Sequence, residues 1–247
     1  MLNESKEPLI VRKNDIEIAR ILVGTSPFIA AGQFEKSFQY YMEFVMKRGK
    51  VAEILSWCLL HGFSWIQALD VDFIAEEIGL ACERTRITPT LIISTWNKPE
   101  KAVTRFKSSK PKMVLAHASL VDRLNTSLIK RFLAHVENLG LIPGIVTHNP
   151  NNVLPKLKHI DKIKAVMVPL NYAGLFNDNV EETLRLLREM KVVVIAKKVL
   201  GAGRLPIDKA LQWALSRPEI DSLALGIASI SEAEQTLNLA YNIACRA

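Results

Sequence analysis

Cysteine is scarce in this sequence: Cys58, Cys82 and Cys245 are the only three in 247 residues. They are odd in number, widely spaced and set in apolar helical patterns, and no pair has the spacing of metal ligands. A disulfide scaffold and a zinc ribbon are thereby excluded, no metal site is expected, and the thiols read as reduced side chains packed as small hydrophobes. Glycine and proline, 11 each, are at ordinary usage, which excludes collagen-like and low-complexity chains. No run reaches the ~18 uncharged apolar residues of a membrane span. The opening residues, MLNESKEPLIVRKND, lack the basic-then-apolar order of a secretory signal, so a cytoplasmic location is expected. What is present is apolar material for a core: 49% of the chain is hydrophobic and 23% charged. No Pro/Gly/Ser-rich linker divides it, and a single domain over 1–247 is expected.

Charge of one sign is unevenly placed. Residues 86–164 carry 14 basic and 4 acidic side chains, whereas 165–247 carry 9 of each. A basic stretch can serve an anionic ligand or a nucleic acid. Here the charges interleave with apolar residues at helical spacing, so a solvated helix surface is the reading and no nucleic-acid partner is expected.

The order of elements is regular. Leu9–Val11 and Ile16–Ile18 flank the turn-like Lys13-Asn14-Asp15 and predict a β-hairpin. Arg20–Gly24 is a short apolar strand. A helical stretch over about 34–61, divided near Arg48-Gly49, follows it. Strand-then-helix alternation continues with strands at Phe63–Ala68, Pro89–Thr95, Lys112–His117, Pro143–His148, Ala165–Leu170, Val192–Lys197 and Ser222–Ile227. One helix is expected over Leu120–Leu139 and a last one over Glu232–Cys245. The strands are Val-, Ile- and Leu-rich without polar alternation, as in parallel strands buried on both faces. Eight such units in about 230 residues have the size of a (β/α)8 TIM barrel. The fold class is therefore α/β, a (β/α)8 TIM barrel with an N-terminal β-hairpin. A doubly wound sheet shares the pattern, but no glycine-rich first turn supports it.

In a barrel, chemistry belongs at the C-terminal strand ends, and those ends supply the candidates. His117 and His148 each close a strand, where an imidazole serves as acid, base or hydrogen-bond donor. Lys197 and Lys198 interrupt an apolar run, and strand alternation turns only one of them inward. An inward lysine is either desolvated, suited to imine formation or anion binding, or paired with Asp70 or Asp72. Gly201-Ala202-Gly203-Arg204 follows at once. Its glycines let backbone amides approach an anion, at a place where barrels often bind phosphate. Ala228-Ser229 then precedes a helix N-terminus, with Ser231 and Glu234 as the expected capping box.

These segments resemble the aldo-keto reductase superfamily. Leu22-Val23-Gly24-Thr25 is similar to its first strand and Val114-Leu115-Ala116-His117 to the strand that ends in its active-site histidine. Val194 through Gly203 resembles its seventh strand and pyrophosphate loop, and Ala210 through Ser216 with Gly226-Ile227-Ala228-Ser229 its last helix and nucleotide-binding segment. The resemblance implies an oxidoreductase that reduces carbonyl groups with NADP or NAD. It implies cofactor contacts from Gly24, Thr25, Thr147, Asn171, Gly201, Ala202, Gly203, Arg204, Ala228 and Ser229. The family's Tyr, Lys, Asp and His tetrad is kept only at His117. Gln67 stands at the Asp position, Asp72 at the Tyr and Trp96 at the Lys. Met167 stands where a nicotinamide-binding Gln is common, and Lys197 where an aromatic often stacks on the nicotinamide.

The expected function is an aldo-keto-reductase-like oxidoreductase with a degenerate tetrad, acting on a small-molecule substrate, with His117, Lys197 and Lys198 as its catalytic candidates. Two alternatives stay open. One is a lyase or isomerase using a seventh-strand lysine with His117. The other is a non-catalytic barrel that binds a small molecule or nucleotide.

Overall fold

A computed structural model describes residues 6–246. The hairpin pairs β1 (Ile10–Lys13) with β2 (Ile16–Ala19) in antiparallel register. Asn14 and Asp15 at its tip both have positive φ, 50° and 64°, the turn that matches strand twist and that Asn and Asp tolerate best among non-glycine residues. The first barrel strand, β3 (Ile21–Gly24), leads through residues 25–36 into α1 (Ser37–Tyr40), a π-helical turn at Tyr41–Val45, and α2 (Lys50–Leu60). The chain then alternates: β4 (Trp65–Leu69), α3 (Asp72–Thr85), β5 (Thr90–Thr95), α4 (Pro99–Arg105), β6 (Lys110–Ala116), α5 (Ala118–Val121), α6 (Thr126–Asn138), β7 (Ile142–Val146) and α7 (Pro150–Leu157). It finishes with β8 (Ala165–Pro169), α8 (Val180–Met190), β9 (Val193–Lys197), α9 (Ile207–Leu215), β10 (Ser222–Gly226) and α10 (Ile230–Ala244).

Strands β3 to β10 close a parallel barrel, with β10 pairing both β9 and β3. The (β/α)8 barrel and its leading hairpin stand as the strand pattern predicts. Each strand buries both faces, but against different partners. Leu22, Trp65, Ile92, Leu115, Met167 and Ile195 fill the interior. Their alternates, among them Val23, Ile66, Ile93, Val114, Val166 and Val194, pack on the helices. Ile18 and Ala19 of the hairpin belong to the interior cluster, and Lys13 pairs with the buried Asp221 at 2.8 Å, so the hairpin plugs the N-terminal end of the barrel.

Two local expectations are corrected. The helix expected over Leu120–Leu139 is two helices. Leu124 sits at φ +57°, and Asn125 restarts the chain as an N-cap by accepting from the Leu128 amide at 3.1 Å. The capping box of α10 lies two residues earlier than expected. Ser229, not Ser231, accepts from the Glu232 amide at 3.0 Å, and Glu232, not Glu234, accepts from the Ala228 amide at 2.8 Å.

Candidate functional site

The C-terminal mouth of the barrel holds a cavity of about 490 Å³. Its floor is made by the last inward side chains of successive strands: Gln67, Ser94, His117, Val146, Met167 and Lys197. Residues 26–40, from the long β3–α2 connection, wall one side with Pro27, Phe34 and Tyr40, and the 198–205 loop and α10 wall the other.

Of the two lysines, Lys197 is the inward one. It has the parity of Val193 and Ile195, both in the barrel interior. Its Nζ lies 2.9 Å from His148 Nδ1. Burial, reinforced by the charge of Lys198 and only partly offset by Asp122, holds its pKa well below the ordinary lysine value. The pairing with Asp70 or Asp72 does not form. Arg105 takes both carboxylates, and Asp70 also accepts from Thr95 Oγ1 at 2.6 Å and Asn97 Nδ2 at 2.8 Å. Lys198 adopts φ +55° and places Nζ 4.1 Å from the centre of the Phe176 ring.

His117 is the N-cap of α5. Its Nδ1 accepts from the Ser119 amide at 3.2 Å, which fixes the proton on Nε2 and leaves that nitrogen to a ligand. Burial, then the charge of Lys197, lowers its pKa to about 4, against a smaller opposing pull from Asp122. His148 is lowered to about 3 by burial, then by Lys197, Lys198 and His117. Both rings are neutral at pH 7, and their centres are 6.3 Å apart. Trp96 stands edge-on to His117 at 5.3 Å. The site therefore presents one desolvated amine beside two neutral imidazoles.

The other predicted residues divide by place. Gly24, Ala202 and Gly203 line the cavity. Thr25 is fully buried and accepts from the Leu69 amide at 3.0 Å. Thr147 donates to Asp122 at 2.5 Å and accepts from the Asn149 amide. Asn171 ties its own loop together through Leu175 and donates to the Lys198 carbonyl at 3.3 Å. Gly201, at φ +57°, has Leu175 and Leu205 where a Cβ would stand. These four hold the scaffold in place rather than line the cavity. Arg204 reaches Glu35 at 3.2 Å. The Ala228 amide is taken by Glu232, as described above, and Ser229 caps α10.

His148, a candidate from its place at a strand end, is joined to Lys197. Other cavity groups were not among the predicted site residues. Gln67 and Ser94, hydrogen-bonded to each other at 3.1 Å, read only as a departure and as an unremarkable strand residue. Tyr40 and Glu232 reach the cavity from segments far apart in sequence, which no local pattern reveals. Burial and the charges of Glu232 and Glu43 raise the pKa of the Tyr40 phenol. Among the described residues no group of three His, Cys, Asp or Glu is placed to hold a metal ion, and no helix is long and apolar enough to cross a membrane.

No protein-family model and no curated protein matches the sequence. Solved structures do match the fold. An aldo-keto reductase from Pseudomonas aeruginosa superposes with a TM-score of 0.69 at 17% identity, covering 100% of this chain and 98% of that one. The holo form of an aldo-keto reductase from Bacillus halodurans gives 0.67 at 15% identity, covering 94% and 91%. An aldo/keto reductase from Klebsiella pneumoniae, solved in complex with NADP and acetate, gives 0.62 at 16% identity, covering 97% and 90%. This chain has the aldo-keto reductase fold.

Proposed function

We propose that this chain is an oxidoreductase of the aldo-keto reductase type, which binds a nicotinamide nucleotide across the barrel mouth and reduces a small carbonyl compound. The observation that carries this reading is the continuity of the cavity. It runs without a break from Lys197 and His117 at the barrel axis to Ala202, Gly203 and the first turns of α10. The residues along that arm suit a dinucleotide. Gly203, at φ +89° with nothing within 4 Å of where a Cβ would stand, lets a ligand approach the backbone of this loop closely. Lys198 and Arg204 bring positive charge to the same loop, a setting that favours phosphate. Glu232, in the cavity wall at the start of α10, is an acceptor suited to a ribose hydroxyl. No Lys or Arg lies between Ser229 and Arg246 to hold a 2′-phosphate. NAD is therefore expected to bind at least as well as NADP.

When bound, the reduced cofactor supplies a hydride to the carbonyl carbon. The chain's own part is to orient the carbonyl and to give its oxygen a proton. The family's phenol is replaced at its position by Asp72, so the roles pass to other groups. In this reading His117 Nε2–H holds the carbonyl oxygen, and the Lys197 ammonium, made more acidic than an ordinary lysine by burial, donates the proton.

Titration with NADH and NADPH, read by quenching of tryptophan fluorescence, tests the binding. Trp96, beside His117, is the reporter at the site. Saturable quenching supports the reading, and no binding of either nucleotide at millimolar concentration overturns it. With a reducible carbonyl panel, Lys197→Met is expected to lower kcat roughly 10²–10⁴-fold, the contribution typical of a positioned proton donor.

A further inference from the structure

Lys197 has an arrangement that nucleotide binding does not require. Its amine stands half-buried at the floor of the cavity, near the barrel axis, with no carboxylate at ion-pair distance among the described residues. The groups facing it are His148, His117, Lys198 and Asp122. Asp122 is engaged by the Thr147 hydroxyl and by the His148 amide at 3.2 Å. Among the described residues, the one polar atom at hydrogen-bond distance from Nζ is the ring nitrogen of a neutral imidazole. In front of the amine lies open cavity, lined by apolar Leu69, Val146 and Met167 and by polar Gln67 and Ser94.

We propose that Lys197 is a carbonyl-capturing residue that forms an imine with small aldehydes and ketones, with His148 as its proton shuttle. The Nζ lone pair adds to the carbonyl carbon, and the C=O π pair moves to oxygen. One proton leaves nitrogen for His148 Nδ1, 2.9 Å away, and is passed to that oxygen, giving a carbinolamine. A second proton lost from nitrogen by the same path lets the hydroxyl depart as water while the C=N bond forms. Nothing is oxidised or reduced, and no co-reactant is consumed. An apolar pocket favours the dehydrated imine over the hydrated carbonyl. The activity does not depend on nucleotide and goes beyond the reductase reading.

The full chain, without nucleotide, is incubated at pH 7 with propanal or hydroxyacetone and sodium cyanoborohydride, then read by intact mass and peptide mapping. One reduced adduct on Lys197 is expected, forming at least about tenfold faster than on exposed lysines such as Lys101 or Lys209, because each unit of pKa depression multiplies the neutral fraction tenfold. Lys197→Met loses the fast adduct, Lys209→Met keeps it, and His148→Gln slows it without moving it. Labelling spread evenly over exposed lysines, or fast labelling of Lys198, overturns the proposal. Mapping on the unaltered chain decides the matter even if a variant fails to fold. Adduct formation with no nucleotide binding overturns only the reductase reading, and binding with no adduct only this one.

Discussion

At Lys197, burial and the charge of Lys198 both lower the pKa of the amine, and Asp122 offsets them only in part. A lysine drawn partly out of water into a barrel mouth without a paired carboxylate loses hydration that one imidazole nitrogen replaces only in part, and Lys198 adds repulsion. The folded state therefore binds fewer protons than the unfolded chain between the depressed folded pKa and the ordinary value of about 10.4. The cost to stability is absent above that ordinary value, grows as pH falls below it, and is complete below the folded pKa. Lys197→Met keeps the volume and removes the charge. It is expected to raise the thermal midpoint at pH 7 by a few degrees, since about 1 kcal/mol corresponds to roughly 2–4 °C in a chain of this size. The gain should vanish above about pH 11. A midpoint that falls at pH 7 in differential scanning calorimetry contradicts the account. His117 and His148 add a dependence at lower pH. With pKa values held near 4 and 3, they favour the fold above the ordinary histidine value and withdraw that support as pH drops from about 6.5 toward 3.

At the scale of elements, the strand pattern was readable because a fully buried parallel strand has a simple signature. The eight apolar runs match β3 to β10, with ends displaced by one or two residues. What the pattern left hidden was the exact place where chains stop and restart. Leu120–Leu139 is apolar at helical spacing throughout, and only Asn125, whose side chain outcompetes a continuing helix for the Leu128 amide, divides it. The Ser-rich approach to α10 offered two capping boxes of identical spacing. Backbone geometry chose Ser229 over Ser231, and in doing so used the Ala228 amide for Glu232 instead of an anion. A glycine within β7 is the sharpest packing test at this scale. A Cβ on Gly144 would lie 2.5 Å from both the Ala165 carbonyl oxygen and Leu115 Cδ2, neither of which has room to withdraw inside the barrel. Gly144→Ala is expected to cost about 1–3 kcal/mol or more, read as a lower urea midpoint. An unchanged midpoint would show that the β7–β8 spacing is wider than described.

Over the whole molecule, charge and plug obey one geometry. The basic excess of residues 86–164 falls largely on outward faces. Lys158 and Lys162 find carboxylates there, and Lys112 reaches Glu17 of the hairpin at 3.7 Å. The site draws its cations from elsewhere, from Lys197 and Lys198. The opposite end of the barrel is closed by the hairpin, whose Ile18 is fully buried against the interior cluster. Ile18→Ala is expected to destabilise the chain by about 2–5 kcal/mol. The loss should appear in chemical denaturation while the nucleotide titration is unchanged, because the plug and the mouth lie at opposite ends of the strands. A change in nucleotide affinity would mean that the two ends are coupled.

The eight βα units, the leading hairpin and the strand ends where polar residues gather are legible in the order of residues alone. Each of these is written in short-range periodicity, and hydrophobic burial enforces it. Which lysine faces inward, that Arg105 rather than a lysine takes Asp70 and Asp72, that His148 meets Lys197, and that Tyr40 and Glu232 reach the same cavity as His117 follow from the closed fold. Those outcomes depend on closing the barrel. Closure brings side chains separated by tens to hundreds of residues within a few ångströms, and it sets the burial that shifts the Lys197 amine and the two imidazoles from their ordinary values.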